Sequence, residues 1–207
     1  IIRDYDKATR DAQSSGDTTI SAVMKTDSRR RYIIPGTSLK GVLRHRSDYI
    51  LQQLGAATLP SEAWPLGREE ALVEYTMGPS PETMKLRPIE AKRRSRFLVD
   101  EAVITQGVIA KEQSRNRIDR FTGGTIDTAL FTTKPIWQKK REEPVVRLHF
   151  GVKAAESWEA GLALLLLKDL WLGRTVIGGE KSIGRGTLKG VRATISYDDK
   201  KWEISNE

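Results

Sequence analysis

The chain contains no cysteine, which excludes disulfides and thiolate metal sites together. Histidine is almost absent as well. His45 and His149 are too few for a His-rich metal centre and lie too far apart in sequence to suggest a His-dependent ribonuclease. His45 is expected to pack or meet solvent, and His149 to serve a structural role within a strand. Long apolar runs are also missing: the longest, Leu162 to Leu167, is far short of the roughly 20 residues a membrane-crossing helix needs. No signal peptide is apparent, so a cytoplasmic protein with no membrane segment is the expectation.

What remains is basic. The 207 residues carry 35 Lys and Arg against 27 Asp and Glu, a formal net charge of +8 and a pI near 9.7. Acidic residues are plentiful, so the excess sits on a mixed surface rather than on a disordered polycation. Such an excess favours an anionic partner, nucleic acid first. The length suits one domain with a real core. The chain opens at Ile1 with a polar stretch, and it is read as a piece of something longer or one unit of a fused protein.

Residues 1–19 read as a loop or the remnant of a preceding segment, and only Ile20 to Met24 looks strand-like near this end. Thr37 or Ser38 is then expected to cap a helix running to about Leu54, with Leu39, Val42, Leu43, Ile50, Leu51 and Leu54 on one side and Lys40, Arg44 and Arg46 left outside. Residues 55–95 hold many of the prolines and little period, which predicts an irregular insertion. Phe97 to Ile104 reads as a strand, 111–145 as a second insertion, and Val145 to Phe150 as a half-buried strand. A very apolar helix from about Ser157 to Leu172 closes at Gly173, and Gly186 to Ser196 forms a last strand. Trp137 and Trp171 read as core or edge aromatics. The order is that of an α+β, ferredoxin-like RNA-recognition core with insertions, on a single domain spanning 1–207.

Three stretches carry chemistry. In Pro35-Gly36-Thr37-Ser38-Leu39-Lys40-Gly41 a tight turn opens a basic helix, whose free first-turn N–H groups suit an anion, with Lys40 and Arg44 one turn apart on one face. Gly178-Gly179-Glu180-Lys181-Ser182-Ile183-Gly184-Arg185-Gly186 lets bare backbone approach a polyanion beside two cations. It is neither a Walker loop nor a Rossmann turn, because it leads from a helix into a strand. Arg115 to Thr125 interleaves Arg117, Arg120, Phe121 and Thr122, a mixture that binds single strands by stacking and charge; the plainer reading is an exposed loop with an Asp119–Arg salt bridge.

Taken in order, these stretches resemble the RAMP proteins of CRISPR systems. Ile34 to Gly41 with Leu43-Arg44 looks like the family's first signature. Ile118-Asp119-Arg120-Phe121-Thr122-Gly123-Gly124, running into Ala129-Leu130-Phe131, is similar to the thumb-bearing segment of type III backbone subunits, and Gly178 to Gly186 to the carboxyl-terminal Gly-rich loop. The resemblance spans roughly residues 20 to 195. It implies a subunit that holds crRNA for pairing with target RNA, beside neighbouring RAMP subunits and a large signature subunit. Thr37, Ser38, Lys40, Arg44, Gly178, Gly179, Lys181, Ser182, Gly184 and Arg185 would hold the crRNA backbone. Arg117, Arg120, Phe121 and Thr122 would belong to a β-hairpin thumb that inserts between bases.

In type III backbone subunits an acidic residue upstream of the first signature cuts target RNA with a divalent metal such as Mg²⁺. The matching positions here, Ile20 to Ala22, are not acidic, and Asp17 is the nearest upstream carboxylate. Two readings stay open: Asp17 is the catalytic, metal-holding residue, or this unit only holds the guide. A processing endoribonuclease of the same superfamily and a general RNA-binding scaffold are the rivals.

Overall fold

A computed structural model describes residues 22–55, 69–80, 84–85, 94–104, 107–126, 131–140 and 143–206. Along the chain these form β1 (Ala22–Val23), β2 (Ile33–Ile34), α1 (Gly36–Leu54), α2 (Glu69–Met77), β3 (Phe97–Val99), β4 (Ala102–Val103), β5 (Val108–Ala110), β6 (Gln113–Arg115), β7 (Phe131–Lys134), β8 (Ile136–Gln138), β9 (Phe150–Val152), α3 (Ser157–Trp171), β10 (Arg192–Tyr197) and β11 (Lys200–Ser205). The α+β class is as expected. The core order β2, α1, β3, β9, α3, β10 is that of a ferredoxin-like unit. The described strands pair in short ladders: one three-stranded sheet, β1-β7-β6, and four two-stranded ones.

The residues divide into two compact units. One comprises the described parts of Ile1–Ile34, Ala102–Arg147 and Ile177–Gly186, and the other Pro35–Glu101, Leu148–Val176 and Thr187–Glu207. The helical unit is built on leucine spacing. Leu39, Leu43, Ile50 and Leu51 recur along one stripe of α1 and are all buried, with Ser47 filling the same stripe and donating its hydroxyl to the Leu43 carbonyl at 2.9 Å. Leu162, Leu166 and Leu170 do the same on α3, and α1 packs against both α3 and β3. Each such side chain contributes about 1.5–3 kcal/mol by leaving water. Phe97 of β3 stacks on Phe150 of β9, ring centres 5.8 Å apart, where the strands run antiparallel in the register Phe97↔Val152.

Several expectations need correction. Residues 55–95 are not wholly irregular: α2 lies among them because Leu72, Val73, Thr76 and Met77 bury one face, and it packs on α1. Phe97 to Ile104 is two strands, since Phe97–Val99 pairs with β9 whereas Ala102–Val103 pairs with β2. The strand at 145–150 begins only at Phe150, preceded by an isolated Ile104↔Val146 bridge. The last strand starts at Arg192, and β11 returns beside it after a turn at Asp198, which sits at φ 50°. His149 is on the surface, its side chain 81 % exposed and its Nδ1 2.6 Å from Asp100.

The helical unit also buries a charge. Glu159 is 0 % exposed on the first turn of α3, and its carboxylate is fully used. It receives Arg96 at 2.5 Å, the Thr76 hydroxyl at 2.7 Å and the Glu156 N–H at 2.9 Å. The sequence gives this position only as one more acid on a helix. Three donors compensate its desolvation and tie α2, the approach to β3 and α3 together. No described helix is long and apolar enough to cross a membrane.

Candidate nucleic-acid interface

In the helical unit, α1 begins two or three residues earlier than expected. Pro35 is the cap residue, and neither Thr37 nor Ser38 caps with its side chain. The start is set by Gly36: a Cβ there would lie 2.7 Å from the Val99 carbonyl oxygen, so only glycine lets the chain enter the helix against β3. The first intrahelical bond runs from the Leu39 N–H to the Pro35 carbonyl at 3.1 Å. The N–H groups of Thr37 and Ser38 precede it and point out of the helix, with the Thr37 side chain exposed.

The cations of α1 are not left outside. Lys40 donates to the Ser95 hydroxyl at 2.6 Å, and partial burial, then the neighbouring Arg44, push its ammonium pKa below the usual 10.5. Arg44 donates to the Gly78 carbonyl at 2.7 Å and lies 4.0 Å from Glu74. Arg46 pairs with Asp169 at 2.7 Å and covers the Tyr49 ring. The causes are three neighbours of that face: the carboxyl end of α2 holds Arg44, the approach to β3 holds Lys40, and α3 holds Arg46.

The Gly-rich loop belongs to the other unit. Its base closes where the Ile177 N–H meets the Gly186 carbonyl at 3.0 Å, and Lys181–Ile183 makes one tight helical turn between them. Gly178, Gly184 and Gly186 all have positive φ, and Glu180 shares that conformation at φ 59°. Gly178 and Gly179 are half-buried, whereas Lys181, Ser182 and Gly184 are exposed at the apex. Arg185 turns inward, its side chain 11 % exposed. It donates to the Glu180 carboxylate and the Gln113 carbonyl, and reaches Thr133 at 3.4 Å. Arg115 reaches the same Glu180 at 3.3 Å and the same Gln113 at 3.0 Å. Two guanidinium groups on one carboxylate anchor the loop to β6 and β7. The one signal was Glu180 between Lys181 and two glycines; Arg185 is its local partner, whereas Arg115 is far away in sequence.

The third stretch forms a turn in the same unit. Ile118 bridges Thr125, the Asp119 N–H meets the Gly124 carbonyl at 2.9 Å, and the Gly123 N–H meets the Asp119 carbonyl at 3.0 Å. Asp119 makes no Arg salt bridge among the described residues; its carboxylate accepts from Phe121 N–H (2.9 Å), Thr122 N–H (2.8 Å) and the Thr122 hydroxyl (3.1 Å). Those donors, Thr122 N–H foremost, hold its pKa below the ordinary 3.8. Arg117, Arg120, Phe121 and Thr122 are exposed, Phe121 at 98 %. The turn thus presents an unsupported aromatic ring beside two cations.

Asp17 lies outside the described residues. Among those described, no group of three His, Asp or Glu could hold a metal ion.

The model of the RAMP superfamily matches residues 21–189. One of the matching solved structures is entitled "Cryo-EM structure of the Type III-B Cmr-beta bound to cognate target RNA", with a TM-score of 0.48 and 14% identity. The match covers 88% of this chain and 50% of the other, so this chain spans about half the length of that one. No curated protein matches.

Proposed function

The chain belongs to the RAMP superfamily, and we propose that it is a crRNA-binding backbone subunit of a type III CRISPR ribonucleoprotein, holding the guide for pairing with target RNA. The observation that carries this reading is what the fold presents at the family-like motifs. Lys181 at the apex of the Gly-rich loop, and Arg117 and Arg120 beside the exposed Phe121, have no side-chain partner among the described residues. Such cations neutralise phosphates without reading sequence, as a guide of any sequence requires. Phe121 supplies the apolar wedge that separates bases. The first-turn N–H groups of Thr37 and Ser38 take a phosphate in the helical unit. Neighbouring family subunits and a large signature subunit are its protein partners.

The test is RNA retention after purification of the complex. Lys181→Glu combined with Arg117→Glu and Arg120→Glu is expected to strip the bound guide, while melting is unchanged. Undiminished RNA would overturn the reading. Cutting of repeat RNA by the isolated chain would replace it with the processing ribonuclease. In the same assembled complex with Mg²⁺, Asp17→Ala is expected to remove one cut in target RNA and keep binding, if Asp17 holds the metal. Unchanged cutting assigns this unit to holding the guide alone.

A further inference from the structure

The strand pair β5–β8 sets large apolar side chains toward solvent. Ile109 and Trp137 are direct cross-strand partners, so they share a face, and they are 40 % and 47 % exposed. Lys111 and Lys139 follow them by two residues each, which places both on that face at opposite ends of the pair. The ladder continues to both: the Lys111 N–H meets the Pro135 carbonyl at 3.2 Å and the Lys139 N–H the Gly107 carbonyl at 2.7 Å. The two lysines therefore stand roughly 13 Å apart along the strands, with Trp137 between them.

Charge marks this patch off from its surroundings. Lys134 is paired with Glu112 at 3.0 Å, Lys140 with Glu143 at 2.9 Å, and Arg185 with Glu180. Lys111 and Lys139 are exposed, and their side chains have no partner among the described residues. Together with Ile109, Trp137 and Gln138 they line an open hollow of about 600 Å³, with no carboxylate among its described lining residues. Arg185 lies over the Trp137 ring at 5.7 Å from its centre and is not among the residues that line the hollow.

Resting on the RNA-binding reading above, we propose that Trp137, flanked by Lys111 and Lys139, is a stacking platform for one base of single-stranded RNA. A flat apolar surface with a cation on either side fits a nucleotide: the base lies on the indole and the phosphates before and after it meet the lysines. Arg185, fixed from behind by Glu180 and Gln113, keeps the ring from turning away.

The test is binding of a short fluorescent oligouridylate to the full chain over a salt series. Trp137→Ala is expected to weaken binding about tenfold, and Trp137→Phe, which keeps a stacking surface, to restore most of it. The double variant Lys111→Glu, Lys139→Glu, which alters only exposed side chains, is expected to lower the salt slope by about 2. Wild-type affinity and slope in all three, with binding still weakened by Lys181→Glu, would overturn the platform and leave the guide-holding role standing. Absence of binding by the wild-type chain at low salt would overturn both.

Discussion

The Gly-rich loop and the Asp119 turn lie in one unit and carry similar residues, yet they spend their charge in opposite ways. At the loop, Arg185 and Arg115 converge on Glu180 and Gln113, and only Lys181 faces out. At the turn, Asp119 satisfies itself on backbone N–H groups, so Arg117 and Arg120 have no side-chain partner among the described residues and stand beside an almost fully exposed aromatic. An acid that finds a guanidinium makes a scaffold; an acid that finds the backbone makes a display. In the helical unit Arg46 and Arg96 take the first course on Asp169 and Glu159, and Lys40 and Arg44 are held by a hydroxyl and a carbonyl.

The sharpest way to break this contrast is at the deepest scaffold charge. Glu159→Ala removes a fully buried carboxylate, takes the acceptor from the Thr76 hydroxyl and leaves Arg96 with the Ala154 carbonyl and Glu156, so chemical denaturation is expected to show a loss of about 3 kcal/mol. A loss comparable to that of an exposed acid would mean that Glu159 is not the tie between α2 and α3.

Next comes the loop itself, where two cations four residues apart are assigned opposite roles. Arg185→Ala is expected to cost about 2 kcal/mol of stability, because Glu180 and Gln113 lose charged donors, and to leave the salt dependence of RNA binding nearly unchanged. Lys181→Ala is expected to change stability by no more than about 0.5 kcal/mol and to lower the salt slope by about 1. The reverse pattern would exchange their roles.

That exchange is the part the sequence could not show. Helices α1 and α3 are legible because Leu39, Leu43 and Leu51, and Leu162, Leu166 and Leu170, recur at helical spacing. The loop and the turn are legible because glycines and Asp119 punctuate them. Helix α2 was hidden by its proline-rich flanks, and β11 by its many charges. The break after Val99 is decided by partners, β9 on one side and β2 on the other, which no local pattern records. For the same reason a basic run shows how many cations exist and not which ones already have an acceptor. Trp137 is the inverse case: its exposure depends on a strand pairing that hydrophobicity alone argues against.

The smallest effect is expected at the display end, and its sign follows from how Asp119 is held. Its folded pKa lies below the ordinary value, so its contribution to the turn is complete above about 3.8, the value of a free aspartate, and is lost as pH falls through the lower folded value. The amide proton shifts of Phe121 and Thr122 are therefore expected to be flat near neutrality and to titrate together only below that value. In Asp119→Ala both should lose this titration, with little change in global melting, because the turn is solvent-exposed. The same variant should weaken RNA binding if Phe121 acts as a wedge, since the ring's direction is set by the two backbone bonds that Asp119 accepts. Unaltered binding with a loosened turn would mean that Arg117 and Arg120 act as charge alone, and the aromatic tip would lose its assigned part.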